Sequence, residues 1–281
     1  MTLINKNRKR DLPTFANINL LGTCNANCYF CLGKDIEQEL YGLDHLNDHF
    51  MKWENFITFL NFCKANNIKQ LYMTGQTADG LQYKYLDELV HFLQNNLQFL
   101  VGVRTNGILA LEKMEVIQSM RAEIGYSIHS LDPETNYKMM GSHIMPDWDT
   151  IIPLSGPNVR VSIVLTQYNI SEFFDIVKYL SKFENVRYIQ LRRISTDTRM
   201  ELLKDDIIAY EEFYKEFTIA YPSDATFYLA QQHTLYGKQL NFWRTVETSI
   251  NSYNYFTDGT MSDMYFIVEG YLKYRKQPGK K

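Results

Sequence analysis

Phe15-Ala16-Asn17-Ile18-Asn19-Leu20-Leu21-Gly22-Thr23-Cys24-Asn25-Ala26-Asn27-Cys28-Tyr29-Phe30-Cys31 runs from a short apolar segment straight into three thiols. Residues 15–21 read as a strand, and the cysteines fall in the loop that follows it. The chain has four cysteines among 281 residues. Random placement would give this spacing with a chance of about three in ten thousand. Cys63 is remote, in the helical run 53–65, and reads as a small buried hydrophobe. Three thiolates suit an iron–sulfur cluster with one iron left open, since complete protein ligation takes four. A structural zinc site normally takes four ligands in two pairs. No second cysteine pair exists here, and no histidine lies near Cys24 to Cys31. A three-thiolate zinc site completed by a distant histidine stays open at this stage, as does a non-catalytic metal or iron–sulfur protein.

Outward from that stretch, short apolar strands alternate with amphipathic helices. The strand candidates are 15–21, 70–74, 99–104, 123–129, 159–165 and 187–192. The helix candidates are 52–65, 85–95, 109–120, 171–183 and 205–217, with shorter helical pieces at 133–140 and 148–152. Such alternation predicts α/β architecture with successive βαβ units and a parallel sheet. Right-handed crossovers curl six units into a partial (β/α)6 TIM-like barrel. Active sites of parallel barrels form at the C-terminal ends of the strands, where the cysteine loop falls. After Tyr221 the alternation is lost, with strand candidates at 225–229 and 264–268. The expected division is therefore a barrel over 11–220 and a C-terminal extension over 221–281 that caps the barrel or contacts substrate.

The C-x3-C-x2-C spacing, with Phe30 before the last cysteine, resembles the radical S-adenosylmethionine (SAM) enzymes. The resemblance implies a [4Fe–4S] cluster on Cys24, Cys28 and Cys31, with SAM chelating the open iron. It also implies reductive cleavage of SAM to a 5′-deoxyadenosyl radical that abstracts hydrogen from a substrate. A low-potential electron donor such as flavodoxin or ferredoxin is the implied partner. Further loops match by position. Gly75 and Gln76 follow the second strand, where family members bring backbone to the amino group of SAM. Gly75 matches the family pattern, whereas Gln76, Thr77 and Ala78 depart from it. Thr105-Asn106-Gly107 follows the third strand, and Ser127, His129, Ser130, Leu131 and Asp132 follow the fourth. Both patterns are similar to relatives of the molybdenum-cofactor cyclase. These loops make Gly75, Gln76, Thr105, Asn106, Ser127 and His129 candidate SAM contacts. Arg192 joins them: adjacent arginines on a strand alternate faces, so one of Arg192 and Arg193 points inward, where it can pair with a carboxylate.

Asp79, Asp258, Asp263 and Glu269 are the candidate substrate residues, and the catalytic residue is left unassigned. Tyr253, Tyr255 and Tyr265 are conceivable hydrogen-atom relays that nothing in the sequence ranks. No cysteine remains for an auxiliary cluster, and no peptide-recognition domain is apparent. Both absences favour a small-molecule substrate (sugar, nucleoside, amino acid or natural-product precursor) over a ribosomal peptide. A net charge of −3 gives no electrostatic basis for nucleic acid binding. No run of about twenty apolar residues predicts a membrane span, and free thiols fit a reducing cytoplasm.

Overall fold

In the computed structural model, residues 15–196, 198–227, 230–243, 252–264 and 267–275 are described. The first six strands are β1 (Phe15–Leu20), β2 (Gln70–Gly75), β3 (Leu100–Thr105), β4 (Ile124–Ser127), β5 (Val159–Val164) and β6 (Val186–Arg192). They pair parallel in chain order. Between and after them run α1 (Phe56–Ala65), α2 (Leu86–His91), α3 (Met114–Ser119), α4 (Pro133–Met140), α5 (Trp148–Leu154), α6 (Phe173–Leu180) and α7 (Lys204–Ala220).

The region after 220 belongs to the same sheet. It supplies β7 (Ala225–Phe227), β8 (Ala230–Leu235), β9 (Lys238–Trp243), β10 (Ser252–Phe256) and β11 (Met261–Ser262), followed by α8 (Ile267–Tyr274). β9 pairs parallel with β6, and β10 pairs parallel with β1. The sheet therefore has eight parallel strands in the order β10-β1-β2-β3-β4-β5-β6-β9, with antiparallel β11 and β8-β7 at its edges. The expected boundary near 220 divides the chain but not the sheet.

The sheet is strongly curled. Laid flat, β9 and β10 would sit seven strand spacings apart, about 34 Å. Only nine residue steps join Trp243 to Ser252, a reach of about 32 Å at full extension. That reach must also cover the return down a strand, about 17 Å. Curling brings the two flanks within range. Among the described residues the sheet does not close, because β11 and β7 are its unpaired ends.

The two faces of this sheet differ in chemistry. Outward positions such as Ile18, Met73, Val103, Tyr126, Val161 and Leu191 are buried against the helices. Inward positions follow from register: Asn17 pairs with Asn254 and Tyr72, Asn19 with Thr74, and Gly125 with Arg104 and Arg160. Ser162 pairs with Ser127 and Gln190, and Gln190 with Asn241. Partners in a parallel ladder share a face, so the lumen is polar, unlike the branched aliphatic filling of a closed (β/α)8 barrel. Below, Arg104 lies over the rings of Phe15 and Tyr72. The Arg160 guanidinium covers Gly125, where a Cβ would stand 2.6 Å from it, and pairs with Glu123 at 3.0 Å.

One expected strand ends in a helix. Of the candidate at 264–268, residues 265 and 266 lie outside the described residues, and 267 and 268 begin α8. A strand lies earlier, at Ser252–Phe256, where none was expected. Its Ser252 and Asn254 face the polar lumen, so the apolar alternation that marks a half-buried strand is inverted in meaning. Tyr253 and Tyr255 take its outward face and pack on Phe62 and Phe59 of α1. They are therefore turned away from the lumen; Tyr265 lies outside the described residues. Among the described residues no helix is long and apolar enough to cross a membrane.

Candidate active site at the mouth of the barrel

The loop after β1 crosses the C-terminal ends of the strands, and its main chain is held from several sides. α4 provides one support. Asp132 caps its start by accepting from Thr135 N at 2.8 Å, with Pro133 in the first turn. At its other end the carbonyls of Met139 and Met140, orphaned by helix geometry, accept from Tyr29 N and Asn27 N. Gly141 ends the helix at φ +60°, and a Cβ there would crowd Asn27 at 3.0 Å. Gln82 provides a second support, donating to Thr23 O at 3.0 Å and accepting from Asn25 N at 3.2 Å. Asn106 provides a third, donating to Asn25 Oδ1 at 2.7 Å.

The three thiols sit together on this held loop. The Ala26 amide donates to Cys24 Sγ at 3.5 Å. Burial pushes the Cys24 thiol up to about 11, and the charges of Asp79 and Cys31 add to the rise. Cys28 is pushed up further, first by burial and then by Cys31 and Cys24. The sulfurs therefore feel one another in a partly desolvated place, where ionisation needs compensating positive charge. An iron–sulfur cluster would supply that charge, and soft thiolates suit it. Among the described residues no three His, Cys, Asp or Glu side chains converge on the position of a single ion. Three free thiols on one loop are one short of the four that complete protein ligation of a cluster takes.

The Radical SAM superfamily matches residues 18–183. The chain belongs to the radical SAM superfamily. Its members are enzymes, and membership implies SAM and an iron–sulfur cluster. The chain is similar to the GTP 3′,8-cyclase of Aquifex aeolicus, with 22% identity over 217 residues, covering 73% of this chain and 65% of that protein. It resembles the crystal structure of Streptococcus suis SuiB bound to S-adenosylmethionine at a TM-score of 0.64 and 15% identity, covering 95% of this chain and 62% of the other. For SuiB bound to precursor peptide SuiA the TM-score is 0.60 at 14% identity, with the same coverage. The chain thus spans just under two thirds of the length of these relatives.

The loops predicted from the family pattern gather around the cysteine loop of this superfamily member. Gly75 ends β2, and a Cβ there would stand 1.5 Å from Ala78 O, so the turn itself requires glycine. Gln76 is buried, and its N donates to Leu20 O at 3.0 Å. Its carbonyl lies against Gly33, where a Cβ would come within 2.2 Å. Gly33 belongs to the 3-10 turn Leu32–Ile36 just after Cys31, so the β2 loop and the cysteine loop are in direct contact. Asp79 is fully engaged inside the protein. Its carboxylate accepts from Thr105 Oγ1 (2.7 Å), Asn106 N (2.7 Å) and Leu81 N (2.9 Å). It caps Gly80–Gln82 and ties the β2 loop to the β3 loop, and burial raises its pKa. These bonds give the carboxylate, expected as a substrate residue, a place in holding the two loops together.

Ser127 is half-buried at the end of β4, level with Ser162. His129 is buried, packs edge-on against Phe30 at 5.0 Å, and accepts from Val164 N at 3.1 Å through Nδ1. Burial, with the Arg192 charge added, lowers its pKa from 6.5 to about 3. Its ring holds β5 and braces the cysteine loop. Arg192 lies level with Val164 and Trp243 at the lumen mouth. Arg193 turns outward to Glu211 on α7 at 3.1 Å.

The acidic tail also ties elements together. Asp258 accepts from Thr260 N and from the Tyr271 hydroxyl, each at 3.0 Å. Asp263 accepts from the Tyr274 hydroxyl at 3.1 Å. Both aspartates, expected as substrate residues, fasten α8 to the β10–β11 hairpin. Glu269 lies on α8 rather than at a strand end. Val268 and Tyr271 of α8 pack with Leu21, Ile36 and Phe256 beside the cysteine loop. Sequence reasoning missed Gln82, Asn25 and Arg199. The last donates to Tyr29 O and Cys31 O from a loop with no motif.

Proposed function

We propose that this chain binds a [4Fe–4S] cluster through Cys24, Cys28 and Cys31 and uses it to cleave SAM reductively, giving a 5′-deoxyadenosyl radical that abstracts hydrogen from a small molecule. The observation that carries this reading is three thiols within eight residues on one braced loop at the barrel mouth. The backbone of Gly75 to Ala78, which abuts the segment after Cys31, is the natural contact for the amino group of SAM. Asn106, Thr105 and Asp79 keep the loops after β1, β2 and β3 in register around that ligand. Ser127 and Arg192 face it from the lumen, with Arg192 the partner for a carboxylate. Neutral His129 and the ring of Phe30 keep the floor beneath it dry and fixed.

Residues 11–220 carry this chemistry, and 221–281 complete the sheet and frame the substrate. The lumen offers carboxamides and hydroxyls (Asn19, Thr74, Ser162, Gln190, Asn241), which suits a polar small molecule. GTP, the substrate in the name of the Aquifex relative, is the first compound to try. The likeness in fold to SuiB, which binds precursor peptide SuiA, keeps a ribosomal peptide as the second reading. A flavodoxin- or ferredoxin-type donor supplies the electron.

The test is anaerobic. The protein is reconstituted with iron and sulfide, reduced and given SAM, and 5′-deoxyadenosine is measured by mass spectrometry. The reading expects the product from the parent and none from Cys24→Ala, Cys28→Ala or Cys31→Ala. A fully loaded cluster that cleaves no SAM with several reductants would overturn it.

A further inference from the structure

The loop between β6 and α7 reaches across the barrel mouth to the cysteine loop. Arg199 donates from Nη1 to Tyr29 O at 2.7 Å and from Nη2 to Cys31 O at 2.6 Å. Its Nε donates to Asp35 Oδ1 at 2.6 Å. Asp35 lies in the turn that starts just after Cys31, and its side chain is 1% exposed. Thr196 completes the arrangement: its hydroxyl donates to the Asp35 carboxylate and accepts from Arg199 N. One guanidinium thus spans both sides of the third cysteine and the segment after it. Its planar fork is what allows three acceptors to be met at once.

We propose that Arg199 is a positioning residue for the cluster, fixing the main chain at Cys31 and setting, with Asp35, the charge next to the third thiolate. The inference rests on the cluster reading above. Two consequences follow from elementary electrostatics. Losing the fork frees the Cys28–Asp35 main chain. Losing the cation disfavours the reduced, more negative cluster, whereas losing the Asp35 anion favours it.

The experiment uses the full chain with Arg199→Gln, Arg199→Lys and Asp35→Asn. In the metal-free protein, hydrogen exchange over residues 28–36 rises at least about tenfold in Arg199→Gln, since the loss of one of its three charge-assisted hydrogen bonds already gives that factor. After reconstitution, the reduction potential falls in Arg199→Gln, rises in Asp35→Asn and stays near the parent in Arg199→Lys. Opposite shifts for the two partners are not the signature of general damage, which would move both the same way. Parent-like exchange and potential in Arg199→Gln would overturn the proposal. If the parent takes up no cluster, the function proposed above falls, while the exchange measurement still decides the clamp.

Discussion

Asn106 donates its side-chain amide to Asn25 Oδ1 at 2.7 Å, so the loop after β3 holds the residue that follows Cys24. The same side chain accepts from Ile108 N at 3.0 Å, which fixes its orientation. The Thr-Asn-Gly turn is therefore a brace for the thiol loop. Asn106→Ala removes both bonds and is expected to cost about 1–2 kcal/mol of stability. Iron uptake during reconstitution falls with it. Urea unfolding and iron analysis check both.

Gly75→Ala is a harsher change. The added Cβ meets Ala78 O at 1.5 Å, and backbone cannot swing aside as a side chain can. The expected loss is roughly 3 kcal/mol or more, with the β2 turn reopened. Gly42→Ala is the reference: its φ is +80°, but nothing lies within 4 Å of the new Cβ. Strain alone should cost about 1 kcal/mol there. Comparing the two by denaturant unfolding separates collision from conformational strain.

His129 gives the fold a pH dependence of known sign. Its folded pKa, about 3, lies below the ordinary 6.5. Above pH 6.5 both folded and unfolded states hold it neutral, and its full contribution stands. As pH falls from 6.5 towards 3, the unfolded chain takes a proton that the folded chain refuses. Stability then declines by up to about 1.4 kcal/mol per pH unit from this group. His129→Asn, which can keep an acceptor near Val164 N, should flatten that slope between pH 6.5 and 5.

Arg192 and Arg193 are neighbours with opposite prospects. Arg193→Ala removes a partly exposed ion pair with Glu211 and should change stability by about 0.5 kcal/mol, leaving SAM affinity alone. Arg192→Ala should weaken SAM or substrate binding about tenfold, the loss of one charge-assisted pair. Calorimetric titration of the two variants checks this. Equal affinities in both would remove Arg192 from the site.

What could be read from the sequence follows from which face of a strand carries the apolar residues. β1 to β6 were legible because Ile18, Leu20, Met73, Val103, Val161 and Leu191 pack outward on helices. α4 was legible from Asp132-Pro133. β9 and β10 were not, because Gln239, Asn241, Ser252 and Asn254 line a polar lumen and resemble loop. Asp258 and Asp263 resembled a binding cluster, yet a carboxylate beside Thr260 N, Tyr271 and Tyr274 is a fastening that no local pattern reveals. Arg199 left no signal at all. Two of its partners are main-chain carbonyls 168 and 170 residues away, which have no sequence signature, and the third, Asp35, is 164 residues away.

The most direct measurement is the electron paramagnetic resonance spectrum of the reduced, reconstituted protein with and without SAM. The account predicts a [4Fe–4S] signal in the parent and in Cys63→Ala, altered when SAM is added, because three thiolates leave one iron for the ligand. A cluster signal that SAM leaves unchanged, or one that survives Cys28→Ala, would contradict it.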